Sequence, residues 1–289
     1  MLLFISMLQH LVRYCCHSPP TLAEQEAIAE ALSDADAWIM GLEAELAKKR
    51  NLKAGMLHDL LTARTRLPGF SGDWEVKTLR ELSSIYRGAS PRPIDSPVWF
   101  DENSNIGWVR ISDVSKANKY LFQTEQKLSK EGIQKNRFVP KDNLIMSICA
   151  TVGKPILNKI DVCIHDGFVV FERSSAIIGY MYYVLQKLEN EWSKHGQTGS
   201  QMNLNTGIIN KASVLFPPTP EEQTAIAAAL SDMDADIEAT QAKLTKARAI
   251  KAGMMDNLLT GKVRLIDSVV MTRAHNRKVK YAFNSTQTQ

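Results

Sequence analysis

The sequence predicts an α+β fold in which one mixed α/β domain lies between two long, repeated helices. Three observations carry this reading: a gapless internal repeat on both sides of the centre, a narrow apolar stripe within each copy, and a middle segment of different texture. The chain has 289 residues and is 44% hydrophobic, enough to bury a substantial core.

Residues 19–67 recur at 217–265 with a constant offset of 198, and 28 of the 49 aligned positions are identical. Shared helical composition alone does not produce such a match, so the two segments are read as one duplicated unit. In the first copy Ile28, Leu32, Ile39, Leu46, Met56 and Leu60 follow a four-three spacing, joined by Ala35 and Leu42. In the second, Ile226, Leu230, Met233, Ile237, Leu244, Met254 and Leu258 do the same, with Thr240 and Lys251 as polar interruptions. A stripe that narrow over roughly five heptads describes a coiled-coil seam rather than a broad amphipathic face. Pro20 and Pro218 precede the helices, and Thr21 and Thr219 can cap them, each with a carboxylate three residues on at Glu24 or Glu222. Each helix is expected to run about 40 residues, roughly 60 Å at 1.5 Å per residue.

Residues 68–216 read as the mixed domain. Short β-branched and aromatic runs at Trp74–Ile85, Ile106–Ile111, Asn143–Ile148, Pro155–Leu157, Asp161–Ile164 and Phe168–Glu172 are separated by Gly, Pro, Asn and Asp. Tyr180, Val184 and Leu188 place one amphipathic helix at about Ile177–Trp192. The basic tail, 266–289, has little apolar periodicity and is expected to be disordered.

Net charge is only +4, with an isoelectric point near 8.8, so the placement of charge decides more than its sum. Residues 68–216 hold 18 Lys and Arg against 15 Asp and Glu, whereas 217–261 hold 4 against 7. The central domain is thus the better partner for a polyanion. Cys15, Cys16, Cys149 and Cys163 form no C-x-x-C pair and no zinc spacing with a histidine, so a reduced, cytoplasmic protein without metal is expected. Residues 1–16 are apolar, but Gln9, His10 and Arg13 interrupt the run, and neither an exported nor a spanning segment is expected.

A globular domain followed by PPTPEEQTAIAAALSDMDADI and KAGMMDNLLTGKVRL strongly resembles the specificity (S) subunits of type I restriction-modification systems. Within the domain, GWVRISDV (107–114), LIMSICATVGKPILNK (144–159), CIHDGFVVF (163–171) and TGSQMNLNTGIINKASVLFPP (198–218) resemble that family's target-recognition domains. The resemblance covers residues 19–265. It implies a target-recognition domain (68–216) between two conserved helical regions (19–67 and 217–265) that pair as an antiparallel coiled coil. It further implies a DNA-binding subunit that directs methyltransferase (M) and restriction (R) partners to a bipartite target. The usual arrangement has two recognition domains. Here residues 1–18 are too few to be one and do not resemble the family, so a truncated or half-size subunit is expected, completed by a second copy of itself or by another polypeptide. The LLT-x-[KR]-x-RL ends, Leu60–Leu67 and Leu258–Leu265, belong to the methyltransferase surface by resemblance alone.

DNA reading divides into phosphate contacts that position a protein and side chains that reach base edges. Arg87, Ser90 and Arg92 lie on a glycine- and proline-bounded loop whose guanidinium groups suit guanine or phosphate, or are those of a solvated turn. Gln197, Thr198, Ser200 and Gln201 supply amides and hydroxyls after the predicted helix. Arg110 and Ser112 close a predicted strand, and Lys154 stands beside the Gly153 turn in either a phosphate-neutralising or a structural role. His165-Asp166-Gly167 invites a general-base reading, but no nucleophile or metal set accompanies it, and a turn with Gly167 at positive φ is the better one. A methyltransferase would need a glycine-rich cofactor loop and an Asn/Asp-Pro-Pro-aromatic tetrapeptide, and a translocase a phosphate loop; neither set is found. No enzyme activity and no cofactor is therefore expected. The competing class, a coiled-coil scaffold without DNA contact, gives no reason for the polar loops.

Overall fold

A computed structural model describes residues 21–195 and 204–265, so the expectations for residues 1–18, 197–201 and 266–289 lie outside the described residues. In chain order the elements are α1 (Leu22–Leu61), β1 (Glu75–Thr78), α2 (Leu79–Leu82), β2 (Ser84–Arg87), β3 (Gly107–Val109), α3 (Ile111–Lys116), β4 (Tyr120–Leu121), β5 (Gln126–Lys127) and α4 (Lys130–Gln134). They continue with β6 (Arg137–Val139), β7 (Leu144–Ser147), β8 (Pro155–Asn158), β9 (Val162–Ile164), β10 (Phe168–Glu172), α5 (Ile178–His195), α6 (Thr206–Lys211), β11 (Ser213–Phe216) and α7 (Pro220–Leu259). The chain is thus a mixed α/β protein with a long helix near each end. Its residues divide into two compact units, Leu52–Asp234 and the segments on either side of it.

In the larger unit a five-stranded sheet, ordered β2-β10-β7-β8-β4, and a four-stranded sheet, ordered β5-β3-β9-β6, share one core. The sheets are antiparallel apart from the β4–β8 and β3–β9 pairs. Side chains on a strand alternate in direction, so β10 sends Phe168 and Val170 into the core between the sheets and Val169 and Phe171 to the other face. There they meet α5 through Tyr180, Val184 and Leu188, which is why α5 is amphipathic while β10 is apolar from Phe168 to Phe171. That same core takes in Leu57, Leu60 and Leu61 from the end of α1 and Ile226 and Leu230 from the start of α7. The first run, Trp74–Ile85, is not continuous strand: Thr78 accepts the Glu81 N–H at 3.4 Å while the Glu81 carboxylate accepts the Thr78 N–H at 2.6 Å, and this capping box nucleates α2 between β1 and β2.

The smaller unit consists of the remaining parts of α1 and α7. Ile39, Leu42 and Leu46 bury against Leu244 and Ala247. Around them Lys49 bonds Asp236 at 2.8 Å, Arg50 bonds Gln241 at 3.1 Å, Arg248 bonds Glu43 at 2.7 Å and Lys251 pairs with Asp36. Residue numbers thus fall along one helix as they rise along the other. Thr240, expected as a polar break, is 1% exposed but satisfied: it donates to the Asp236 carbonyl at 2.9 Å and accepts the Lys49 ammonium at 2.9 Å.

The duplication reappears in these contacts. Lys53 pairs with Asp234 in the larger unit as Lys251 does with Asp36 in the smaller, each lysine and aspartate being the repeat counterpart of the other. Arg66 grips Glu222 with two bonds of 2.7 and 2.8 Å, and Arg264 grips Glu24 in the same way. Both carboxylates are buried, Glu222 at 1% and Glu24 at 2% exposure. The caps are consequently only half of the expected device. Thr21 and Thr219 do accept the N–H of Glu24 and Glu222, each at 3.3 Å, but the carboxylates turn to the arginines of the other copy instead of back to the cap.

Candidate nucleic-acid interface

Pairing of β2 with β10 brings the end of β2 beside the turn at 165–167, and the loop carrying Arg87, Ser90 and Arg92 docks on that turn. Gly88 N–H donates to the Phe168 carbonyl at 2.9 Å, Ala89 N–H to Ile164 at 3.2 Å, and Arg87 Nε to the Asp166 carbonyl at 2.6 Å. The approach is close enough to require glycine, since a Cβ on Gly88 would lie 2.1 Å from the His165 carbonyl oxygen. Ser90 donates its hydroxyl to Asp166 Oδ1 at 2.8 Å and accepts the Asp166 N–H at 3.3 Å. Arg92 stands apart: its side chain is 74% exposed and Nη2 lies 3.6 Å from Asp166 Oδ2. Arg87 and Ser90 therefore shape the loop, and two guanidinium groups reach solvent from it: Arg87, exposed but held through Nε, and Arg92, facing Asp166 at ion-pair distance.

His165 Nδ1 accepts the Gly167 N–H at 2.8 Å, so a neutral ring carries its proton on Nε2. Burial pushes its pKa below 6.5, against the opposing pull of Asp166. Burial also acts to raise the Asp166 pKa, but the Ser90 hydroxyl, His165 and Arg87 together hold it below the ordinary 3.8. The turn reading needs one correction. Gly167 does not take a positive φ. Glycine is required there because a Cβ would stand 2.4 Å from the His165 ring and 2.6 Å from Cys149 Sγ.

The other candidates divide. Arg110 stacks over the buried Trp108 ring at 4.6 Å and reaches Gln126 at 3.3 Å. Ser112 is exposed, with its hydroxyl 3.5 Å from Glu125. Lys154 donates to the Ala117 carbonyl at 2.9 Å, and burial pushes its pKa down, so its ammonium braces the Gly153 turn rather than pointing outward. Gln197, Thr198, Ser200 and Gln201 lie outside the described residues, but Leu204 and Asn205, where description resumes, line a shallow hollow with Arg87, Cys149 and His165. Two residues escaped the reading of the sequence. Arg137 donates to the Arg87 carbonyl at 2.8 Å and lies over the Tyr86 ring at 4.9 Å. Asp166 was weighed as a general-base partner of His165 and as part of a turn but not as an anchor for the loop, because its partner Ser90 is 76 positions away.

Of the seam residues, Ile39, Leu46, Ile237 and Leu244 gather in the smaller unit. Met56, Leu60, Ile226 and Leu230 instead belong to the core of the larger unit. Ile28 and Leu258 are also buried, while Leu32, Met233 and Met254 are half-buried. A polar knot joins α7 to the domain in the larger unit: buried Lys119 donates to Tyr183 Oη at 2.8 Å and Ser231 Oγ at 3.2 Å, and Tyr183 donates to Asp234 at 2.6 Å. The counterparts of those helix residues, Ser33 and Asp36, are exposed, as is Ala29, the counterpart of the packed Ala227. Among the described residues no group of three or more His, Cys, Asp and Glu could hold a metal ion, and no helix is long and apolar enough to cross a membrane.

Residues 71–247 match the family model described as type I restriction modification DNA specificity domain. Two specificity subunits of type I restriction enzymes from Methanocaldococcus jannaschii are similar to this chain. MjaIX is 25% identical over 171 residues, covering 57% of this chain and 39% of that protein. MjaVIII is 25% identical over 272 residues, covering 85% and 61%. Among solved structures, the HsdS subunit from Thermoanaerobacter tengcongensis aligns with a TM-score of 0.54 at 19% identity, over 84% of this chain and 60% of that one. The S subunit from M. genitalium aligns with a TM-score of 0.54 at 15% identity, over 82% and 61%. The chain thus spans 39% to 61% of the length of these relatives.

Proposed function

The chain belongs to the family of type I restriction-modification DNA specificity domains, and from that premise we propose that it is a non-catalytic specificity subunit that reads duplex DNA. Its residues 68–216 serve as one recognition domain, and α1 and α7 pair as an antiparallel coiled coil that holds this domain at a set distance from a second one. Methyltransferase and restriction subunits assembled on the helices are thereby directed to a bipartite target.

The reciprocal contacts of the repeat carry this reading. Ser231, Asp234 and Ala227 seat the recognition domain on the second copy, and the same residue types stand exposed on the first copy as Ser33, Asp36 and Ala29. A surface that buries a domain in one copy and is reproduced uncovered in the other suits a second domain of the same kind, supplied by another copy of this chain or another polypeptide. The pairing of Asp36 with Lys251 and of Asp234 with Lys53 supports an antiparallel register. The exposed Arg92 and the excess of basic residues in 68–216 support duplex DNA as the ligand.

Co-expression with a type I methyltransferase subunit, followed by methylome sequencing, tests the proposal. The expected result is a methylated motif in two parts, separated by a spacer of fixed length, that appears only when this chain is present. Methylation that is indifferent to the chain would overturn it.

A further inference from the structure

The Asp166 carboxylate has two separable attachments. Oδ1 takes the Ser90 hydroxyl at 2.8 Å, and Ser90 Oγ takes the Asp166 N–H at 3.3 Å, a closed two-point link between turn and loop. Oδ2 faces Arg92 Nη2 at 3.6 Å, beyond hydrogen-bond length, with the arginine side chain 74% exposed. Neighbouring nitrogens have partners of their own: Arg87 Nε on the Asp166 carbonyl, Arg137 Nε on the Arg87 carbonyl, and His165 Nδ1, 3.6 Å from Asp166 Oδ1, on the Gly167 N–H. An exposed ion pair at such a separation is weak, whereas a phosphate can take a guanidinium through two parallel charge-assisted bonds.

We propose that Asp166 is a positioning residue for DNA binding: through Ser90 it fixes the loop, and through Oδ2 it holds Arg92 in a placeholder ion pair that a backbone phosphate displaces. The proposal rests on the DNA-reading function given above and deepens it. When Arg92 turns to the phosphate it gives up this ion pair, and that cost is the same for every duplex. The carboxylate therefore lowers affinity for every duplex while leaving preference among them to other residues.

The test is binding of the full chain to a randomised duplex library over a range of salt, with wild type, Asp166→Asn, Asp166→Ala, Arg92→Ala and the Arg92→Ala/Asp166→Asn double variant. Asparagine keeps an oxygen for Ser90 and removes the charge, so Asp166→Asn is expected to bind all duplexes several-fold more tightly with unchanged preference. Arg92→Ala should weaken binding uniformly and reduce the slope of log affinity against log salt by about 1. In the Arg92→Ala background the asparagine should have no effect, an outcome that a merely structural role for Asp166 would not produce. Asp166→Ala, which also loses the Ser90 link, should blur preference. If Asp166→Asn bound like wild type, or if its gain persisted without Arg92, the latch would be wrong while DNA reading stood. Wild type binding no duplex at any salt would instead sink DNA reading, and the latch with it.

Discussion

His165 gives the larger unit a measurable sensitivity to pH. Its Nδ1 must be unprotonated to accept the Gly167 N–H at 2.8 Å, and its ring packs edge-on against Phe168 with centroids 4.8 Å apart. Burial depresses the folded-state pKa below 6.5, so over the window between that lowered value and 6.5 the unfolded chain binds a proton that the folded chain refuses. Protonation there favours unfolding: stability is flat above about pH 6.5 as far as this group is concerned, and declines as pH falls through the window. The slope from a single group cannot exceed about 1.4 kcal/mol per pH unit. Replacing His165 by Gln, whose side-chain oxygen can accept the same N–H, is expected to flatten the urea-midpoint profile below about pH 6.5 relative to wild type. Parallel profiles for the two proteins would show that His165 is not the group responsible.

At the scale of elements, the long helices are closed by Arg66 on Glu222 and Arg264 on Glu24, and the first of these clasps is the more buried, with side chains 24% and 1% exposed. Removing the arginine strands a carboxylate that water cannot reach, a loss of about 3 kcal/mol for a buried pair. Arg66→Met is expected to lower stability by that order in denaturant titration. Arg66→Met/Glu222→Met should recover most of it, because an apolar pair leaves no unpaired charge. A double variant as unstable as the single one would mean that the arginine acts through its packing alone. The elements themselves were legible to different degrees. The repeat and the four-three stripe predicted two helices of 40 residues, and α1 and α7 each have that length. The stripe did not reveal its division, because Leu60 and Ile226 obey the same spacing as Leu46 and Leu244 whether they face a helix or a domain core. Thr78 and Glu81 carried a readable capping signal that the apolar run around them masked. Strands of two residues, such as β4 and β5, are too short for alternation to register. The arginine loop was visible as a loop, but not its mooring, since no local pattern links Ser90 to a residue 76 positions on.

For the whole molecule, the question is where the recognition domain ends as a folding unit. The change in sequence texture puts its limits at 68 and 216, yet the compact unit runs from Leu52 to Asp234. The difference is physical: Leu57, Leu60, Leu61, Ile226 and Leu230 are at most 7% exposed and share one core with Tyr180, Leu185 and Phe216. Burying an aliphatic side chain of this size contributes roughly 1.5–3 kcal/mol, so the five together amount to about 7–15 kcal/mol. That matches the entire net stability of a typical domain, about 5–15 kcal/mol. A fragment of residues 68–216 would lose these side chains and also Asp234 and Ser231, leaving Lys119, 7% exposed in the intact chain, without its helix partners. It is expected to bind a hydrophobic dye and to melt without a cooperative transition. A fragment of residues 52–234 keeps the core, the Lys119 knot and the Arg66–Glu222 clasp, and should unfold in urea as a single sigmoidal transition. If the shorter fragment unfolded cooperatively at the same midpoint as the longer one, the helix ends would be decoration on a self-sufficient domain rather than part of its core.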